Sequence, residues 1–136
     1  MKKKLNCVLL VDDNEADNYL HTLVLKESSI TDNIEIAMDG EEALDFLTSR
    51  GKDLPPDLIF LDINMPVMDG WTFLEEYEKL DEILKSKVVI LMLTTSVNPS
   101  DKNRMEQWNG SVDFLNKPLT LEMIDEIMQK YFPEYL

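Results

Sequence analysis

Hydrophobic residues along this chain follow two alternating patterns. Short, nearly continuous apolar runs are typical of buried strands, and apolar positions three or four residues apart are typical of helices. The runs of strand type are Cys7–Val11, Ile34–Met38, Asp57–Leu61, Val88–Leu93 and Val112–Leu115. A stretch of helical spacing follows each run, which predicts an α/β fold with a parallel five-stranded sheet and helices on both faces. The second run is short and only partly alternating, so we expect it at an edge of the sheet.

Polar and helix-breaking residues mark the ends of the predicted helices. The first helix carries its apolar residues at Ala16, Tyr19, Leu20, Leu23 and Val24, and the last carries a stripe at Leu121, Ile124, Met128 and Tyr131. The boundary residues are Asp39-Gly40 and Gly51 for the second helix, Asn98-Pro99 for the fourth, and Thr120 and Pro133 for the fifth. The apolar faces of these helices are expected to pack against the sheet.

The length of the chain limits it to one ordinary domain. Its 136 residues are enough to bury roughly two thirds of the unfolded surface, and its 44% hydrophobic and 29% charged residues are typical of a soluble globular protein. No run approaches the roughly 20 apolar residues of a membrane span. The basic start, Lys2-Lys3-Lys4, leads to a strand too short and too acidic at its end for a signal peptide. We therefore expect a single cytoplasmic domain over residues 1–136, with Cys7 in its core.

The charge balance excludes two classes of partner. Thirteen basic and 27 acidic residues give a formal net charge of −14. Binding to nucleic acid requires a cationic surface to neutralise phosphates, and binding to anionic membranes has the same requirement. The sequence therefore predicts neither a nucleic-acid nor a membrane partner.

Polar residues with complementary chemistry stand where four of the predicted strands end. They are Asp12-Asp13 after the first strand, Asp62 after the third, Thr94 after the fourth and Lys117 after the fifth. Parallel strands end at the same edge of a sheet, so these residues are expected to lie together. In a doubly wound sheet of order 2-1-3-4-5, the switch point lies between the first and third strands. Asp13 and Asp62 would then face each other across that crevice.

This set of side chains is suited to phosphoryl transfer. Carboxylates that crowd together repel one another unless a cation lies among them, and an all-oxygen site with room for water and phosphate suits Mg²⁺. The hydroxyl of Thr94 and the ammonium of Lys117 suit an anion held beside the metal. With Asp62 as the nucleophile, the set predicts a site that positions a phosphoryl group and neutralises its charge.

Four segments of the sequence carry a resemblance to a known family. They are VLLVDDN (Val8–Asn14), DINMPVMDG (Asp62–Gly70), LMLTTS (Leu91–Ser96) and FLNKP (Phe114–Pro118). In these segments, and over about Lys4 to Phe132, the chain resembles the receiver domain of two-component response regulators. The resemblance implies a flavodoxin-like (βα)5 fold. It also implies that Asp62 accepts a phosphoryl group from a phosphohistidine of a sensor histidine kinase or a histidine phosphotransfer protein.

The resemblance also implies a role for each residue of the site. Asp13, Asp62 and the backbone carbonyl of Asn64 would bind Mg²⁺, with Asp12 reaching the ion through water. The residues that respond to the phosphoryl group would be Thr94, which hydrogen-bonds it, Lys117, which pairs with it, and Phe114, which swings inward.

Four positions carry more detailed expectations by the same resemblance. Phe114 stands where Tyr is also common, so it offers no hydroxyl to the backbone or to a partner. Asn64 and Ser96 occupy positions that tune hydrolysis of the aspartyl phosphate, and both are small and polar. The peptide bond before Pro118 is usually cis in this family, so the resemblance implies a cis bond here.

The leading functional hypothesis is a stand-alone phosphorylation switch without an output domain. Its signal would leave through an unidentified downstream protein or through a homodimer formed on phosphorylation. The switching surface would comprise the fourth helix, the fifth strand and the fifth helix. Met105 and Trp108 are the only large apolar residues that the sequence offers the fourth helix, which suggests an element of low stability that shifts on phosphorylation.

Other functions remain open at this point. A small phosphohydrolase with Asp62 as nucleophile would need an acid two residues later, and Asn64 cannot serve. A flavin-binding protein would share the strand order, but the acidic loop after the first strand is a poor phosphate cradle. A receiver that is never phosphorylated could act as a scaffold. The one histidine, His21, is expected at the surface or an interface rather than as a ligand or phosphodonor.

Overall fold

Strands and helices alternate along the chain as the hydrophobic pattern predicts. The computed structural model describes residues 4–50, 53, 55–65, 68–80, 88–95, 99–106 and 113–135. Among these residues the strands are β1 Val8–Val11, β2 Ile34–Ala37, β3 Leu58–Leu61, β4 Val89–Thr94 and β5 Asp113–Asn116. The helices are α1 Glu15–Ser28, α2 Gly40–Thr48, α3 Gly70–Glu78, α4 Pro99–Glu106 and α5 Leu121–Tyr131, followed by a 3₁₀ turn at Pro133–Tyr135.

The strands form one parallel sheet in the order β2-β1-β3-β4-β5, which confirms the predicted fold class. β2 lies at an edge, as expected from its weak hydrophobic pattern. In the centre of the sheet, Val11 at the end of β1 is level with Leu61 at the end of β3. The residues that follow these two strands therefore emerge side by side at the same edge.

Each face of the sheet is covered by its own apolar core, because successive strand residues point to opposite faces. Leu9 and Val11 of β1 belong to the core that includes residues of α2 and α3, and Val8 and Leu10 belong to the core under α1 and α5. All four side chains are buried. Cys7, just before β1, is also fully buried, and burial raises the pKa of its thiol to about 12.

Side-chain caps begin four of the helices near the edge where the site lies. Each cap accepts a hydrogen bond from a backbone N–H of the first turn, which satisfies a donor that has no partner within the helix. The capping residues are Asn14 for α1, Asp39 for α2, Asp69 for α3 and Thr120 for α5. Thr120 and the Asp39-Gly40 helix start are where the sequence predicts them.

The buried face of α1 is not the one that its apolar spacing predicts. Tyr19, Leu20 and Leu23 are exposed, whereas Asn18 and His21 are buried. The polar face turns inward because it lies against the site, where Asn18 Nδ2 donates a hydrogen bond to the backbone oxygen of Asp12 across 2.9 Å.

Two smaller predictions also need correction. Leu121, expected in the buried stripe of the last helix, is 42% exposed because it occupies the first position of α5. The strand prediction for Val88–Leu93 ended one residue early, since β4 includes Thr94. Gly51, Ser96, Asn98, Trp108 and Val112 carried predictions but lie outside the described residues. Among the residues that the structure describes, no helix is both long and apolar enough to cross a membrane.

Candidate site at the carboxyl edge of the sheet

Three carboxylates converge where β1 and β3 end. The backbone N–H of Asp62 donates to the carbonyl of Val11 across 2.9 Å, which fixes Asp62 beside the end of β1. One carboxylate oxygen from each of Asp12, Asp13 and Asp62 lies within 4.8 Å of the other two. Asp12 and Asp62 are buried and Asp13 is exposed. The crevice at the switch point thus brings together the three acids that the sequence places at these strand ends.

The surroundings of Asp62 favour its neutral form. Burial is the main cause, and the nearby charge of Asp12 adds to it, so the pKa of Asp62 rises to about 6. Lys117 and the backbone N–H of Asn64 act in the opposite direction, because both stabilise the carboxylate. A cation bound among these oxygens would offset the crowding of negative charge.

Lys117 follows β5 and extends into the acidic cluster. Its Nζ lies 2.6 Å from Asp12 Oδ2, 2.8 Å from Asp17 Oδ2 and 3.8 Å from Asp62 Oδ2. Burial alone would lower the pKa of Lys117, but the hydrogen bonds to Asp12 and Asp17 outweigh it and the pKa is raised. The ammonium group of Lys117 is therefore charged, buried and hydrogen-bonded to the carboxylates of Asp12 and Asp17.

Thr94 and Asn64 flank Asp62 on the neighbouring strand and the following loop. Thr94 ends β4 and is fully buried, and its carbonyl accepts a hydrogen bond from the backbone N–H of Lys117 across 2.8 Å. Asn64 is exposed, and its backbone N–H is hydrogen-bonded to the carboxylate of Asp62. The Lys117-Pro118 peptide bond is cis, as is usual in the family that the sequence resembles.

Phe114 lies in β5 and is half-buried. Its ring meets that of Trp71 edge to face, with 6.0 Å between the ring centroids and 87° between the planes. The structure therefore gives Phe114 an aromatic neighbour on the first turn of α3, which the sequence did not indicate.

His21 is buried, and its predicted surface position is wrong. A small cavity of about 10 Å³ behind the site is lined by residues that include His21, Asn18, Asp12 and Asp62. Burial lowers the pKa of His21 and so favours the neutral imidazole. The reason for the error is the rotation of α1, which turns its polar face toward the site.

Asp17 is a member of the site that the sequence analysis missed. An acid in the first turn of a helix is usually explained by the positive end of the helix dipole, so Asp17 did not stand out. The available signal was its place in the first turn of the helix that follows Asp12-Asp13, because that turn begins at the same edge of the sheet.

The donor set fits a small, hard divalent cation. Asp12, Asp13 and Asp62 all offer carboxylate oxygens, and the exposed Asp13 leaves one side of the cluster accessible to water. Mg²⁺ prefers a few carboxylates together with retained water molecules.

The chain is thus a doubly wound α/β domain with a cluster of acids at its switch point and a lysine after its last strand. The family model of the response regulator receiver domain matches residues 8–129. The chain belongs to this family, which confirms the resemblance read from its motifs. It is therefore a receiver domain of two-component signalling.

Individual relatives agree with this assignment. Response regulator Rcp1 of Synechocystis is 40% identical over 97 residues, which cover 69% of this chain and 65% of Rcp1. The sensor histidine kinase CheAY of Helicobacter pylori is 30% identical over 123 residues, which cover 90% of this chain and 14% of CheAY. The chain thus spans less than two thirds of the length of either relative.

Solved structures of receivers share the fold over nearly the whole chain. A two component response regulator from Cytophaga hutchinsonii superposes with a TM-score of 0.84 at 27% identity, covering 97% of this chain and all of the other. Chemotaxis protein CheY4 of Vibrio cholerae superposes with a TM-score of 0.73 at 30% identity, covering 93% and 98% of the two chains.

Proposed function

We propose that this receiver is a phosphorylation switch in which Asp62 accepts a phosphoryl group from a phosphohistidine of a sensor histidine kinase or a histidine phosphotransfer protein. The observation that carries the proposal is the convergence of Asp12, Asp13 and Asp62 within 4.8 Å, with the ammonium of Lys117 3.8 Å from Asp62. A nucleophile, ligands for a cation and a counter-charge would thereby lie together at one edge of the sheet.

The transfer exchanges one bond to phosphorus for another. A carboxylate oxygen of Asp62 attacks the phosphorus of the donor, and the bond from phosphorus to the imidazole nitrogen breaks. The imidazole takes one proton from solvent and leaves as a neutral ring. The product is a mixed anhydride on Asp62. Hydrolysis of that anhydride by water restores the carboxylate of Asp62 and releases phosphate, so the protein returns to its unmodified form.

The residues that would hold Mg²⁺ are Asp13, Asp62 and the backbone carbonyl of Asn64. Asp12 would reach the ion through water, because its Oδ1 accepts a hydrogen bond from the backbone of Asn14 and its Oδ2 accepts one from Lys117. When bound, the cation neutralises charge on the transferring phosphoryl group. Thr94 would donate to a phosphoryl oxygen and Lys117 would pair with another.

The phosphodonor is proposed to dock on α1. Tyr19, Leu20 and Leu23 are 65%, 50% and 46% exposed, and they lie on the helix that begins beside Asp12 and Asp13. An exposed apolar group next to a reactive edge is typical of a protein-docking surface. An α-helical partner could cover this surface and present its histidine to Asp62.

The output surface is proposed to comprise α4, β5 and α5. A groove of about 140 Å³ runs between β5 and α5 and is lined by residues that include Leu115, Met123 and Tyr131. Phe114 lies in β5, three residues before Lys117 of the site. The signal would pass to a downstream protein, or to a second copy of the chain, in the cytoplasm.

Intact-mass spectrometry tests the proposal. The protein is incubated with Mg²⁺ and acetyl phosphate, beside Asp62→Asn and the control Asp39→Asn, which makes the same change at a helix cap that asparagine also supports. We expect wild type and Asp39→Asn to gain one phosphoryl group. No gain is expected for Asp62→Asn, or for wild type in EDTA.

Other results would favour the alternatives. A gain that survives Asp62→Asn would mean that another side chain is the acceptor. No gain with acetyl phosphate or with a phosphorylated histidine kinase would favour an unphosphorylated scaffold. Multiple turnovers on phosphate monoesters, with loss of activity in Asp62→Asn, would favour the phosphohydrolase.

A further inference from the structure

Asp17 lies in the first turn of α1, but its carboxylate bonds to a residue 100 positions further along the chain. Lys117 Nζ donates to its Oδ2 across 2.8 Å. An acid at this place usually interacts with the free N–H groups of its own helix. Here the cap is already supplied by Asn14, whose side-chain oxygen accepts from the backbone N–H of Asp17 across 2.9 Å. The carboxylate of Asp17 therefore has a partner outside the helix.

The position of Lys117 is biased toward α1. An ammonium group has three N–H donors. Two are used by Asp12 at 2.6 Å and by Asp17 at 2.8 Å, whereas Asp62 at 3.8 Å is too far for a hydrogen bond. The side chain of Lys117 is only 9% exposed, so little water competes for it. Asp17 thus occupies one N–H donor of the Lys117 ammonium, the group that a phosphoryl group on Asp62 would require.

The contact between Asp17 and Lys117 affects the equilibrium between the unphosphorylated and the phosphorylated state. A contact that is stronger in the unphosphorylated state than in the phosphorylated state favours the unphosphorylated state by the difference in free energy. A phosphoryl group on Asp62 would present new anionic oxygens to Lys117, and a movement of the ammonium toward them and away from α1 would lengthen its contact with Asp17.

We propose that Asp17 is a positioning residue that holds Lys117 on the α1 side of the site and thereby opposes phosphoryl uptake by Asp62. The inference rests on the proposed function of Asp62. Asp17 acts through Lys117 and not on the phosphoryl group itself. Removal of its charge would release the ammonium, which would strengthen binding of a phosphoryl group or of its analogue.

Asp17→Asn and Glu15→Gln form a matched pair for the test. Both remove one negative charge from the first turn of α1, and Glu15 is exposed. In the presence of Mg²⁺, we expect Asp17→Asn to bind beryllium fluoride about three- to tenfold more tightly than wild type. We expect its rate constant for phosphorylation by acetyl phosphate to rise by a similar factor. Glu15→Gln should stay within about twofold of wild type, and Asp17→Glu should restore wild-type behaviour.

A nuclear magnetic resonance measurement tests the contact without any phosphorylation. The ¹⁵N signal of the Lys117 ammonium, assigned by its loss in Lys117→Arg, should shift and its protons should exchange faster in Asp17→Asn. Neither change is expected in Glu15→Gln. A general loss of stability would not alter this one ammonium signal selectively. Thermal unfolding verifies that each variant is folded, and Asp17→Ser replaces Asp17→Asn if the latter is not.

The outcomes separate the inference from the function on which it rests. If wild type takes up neither beryllium fluoride nor a phosphoryl group, the proposed function fails, while the ammonium signal still reports the contact. If wild type takes them up and Asp17→Asn behaves as Glu15→Gln does, the inference is overturned. Weaker binding by Asp17→Asn would also overturn it, because Asp17 would then assist Lys117 and not restrain it.

Discussion

The indole Nε1 of Trp71 donates a hydrogen bond to Oδ1 of Asp101 across 3.1 Å, and both side chains are buried. The contact joins the first turn of α3 to α4. The same indole meets the ring of Phe114 edge to face, so one side chain touches α4 and β5 together. A displacement of Phe114 would alter the packing of Trp71, and the fluorescence of Trp71 would report it.

Trp71→Phe should lower the free energy of unfolding by about 1–3 kcal/mol, because it removes a buried hydrogen bond to a carboxylate and part of an aromatic ring. Urea denaturation measures the change. A double-mutant cycle with Asp101→Ala should give a coupling energy of about 1 kcal/mol or more. Additive effects of the two substitutions would show that the hydrogen bond contributes nothing to stability.

Gly70→Ala should destabilise the protein, whereas Gly40→Ala should be tolerated. A Cβ at Gly70 would lie 2.7 Å from the backbone oxygen of Asp62 and 3.0 Å from the Cα of Ile63. At Gly40 it would meet the side chain of Met68, which can move aside. We expect a loss of about 1–3 kcal/mol for Gly70→Ala and less than about 1 kcal/mol for Gly40→Ala, measured by urea denaturation. Equal losses of stability in the two variants would mean that the loop after Asp62 moves to accommodate the added Cβ.

Without divalent cations, the stability of the protein should fall as the pH rises from about 4 to 6. The pKa of Asp62 is raised from 3.8 to about 6, so in this window the folded state retains a proton that the unfolded state releases. The loss is at most about 3 kcal/mol. Asp62→Asn removes this dependence and should equal or exceed wild type in stability at pH 7, but not at pH 4. Urea denaturation at several pH values measures how the free energy of unfolding depends on pH, and Asp39→Asn should show the same dependence as wild type.

Mg²⁺ should stabilise the folded protein, because the unfolded chain cannot hold the three carboxylates together. For a site with a millimolar dissociation constant, about 10 mM Mg²⁺ would add about 1.4 kcal/mol to the free energy of unfolding. Thermal unfolding in Mg²⁺ and in EDTA measures the gain. Asp13→Asn should reduce it and Asp39→Asn should not. A gain of the same size in all three proteins would indicate a general effect of salt.

The strand prediction succeeded because a strand buried on both faces leaves an unmistakable apolar run. β1 and β3 are such strands, and each is followed at once by an acid. The parallel arrangement then follows from alternation with helices, and the order 2-1-3-4-5 is that of one common doubly wound fold. The sequence could therefore bring Asp12, Asp13, Asp62, Thr94 and Lys117 to one edge before any distance was known.

The orientation of α1 could not be obtained in this way. Apolar spacing identifies the buried face only if the helix packs against an apolar surface. Close to the site, α1 packs against polar groups, so Asn18 and His21 turn inward and Tyr19 and Leu20 turn outward. The contact of Asp17 with Lys117 depends on the same rotation of the helix. The place of Asp17 in the sequence brings it near the site, but the orientation of the helix decides which side chain it contacts.

Asp12 and Lys117 are separated by 105 positions in the chain, yet they share a hydrogen bond of 2.6 Å. A polypeptide still emerging from the ribosome would already contain Asp12 and Asp62 but would lack the ammonium until β5 had been synthesised. Until then the chain would lack both an edge strand of the sheet and the counter-charge of its acidic cluster. The charge balance of the cluster would thus be completed late in biosynthesis.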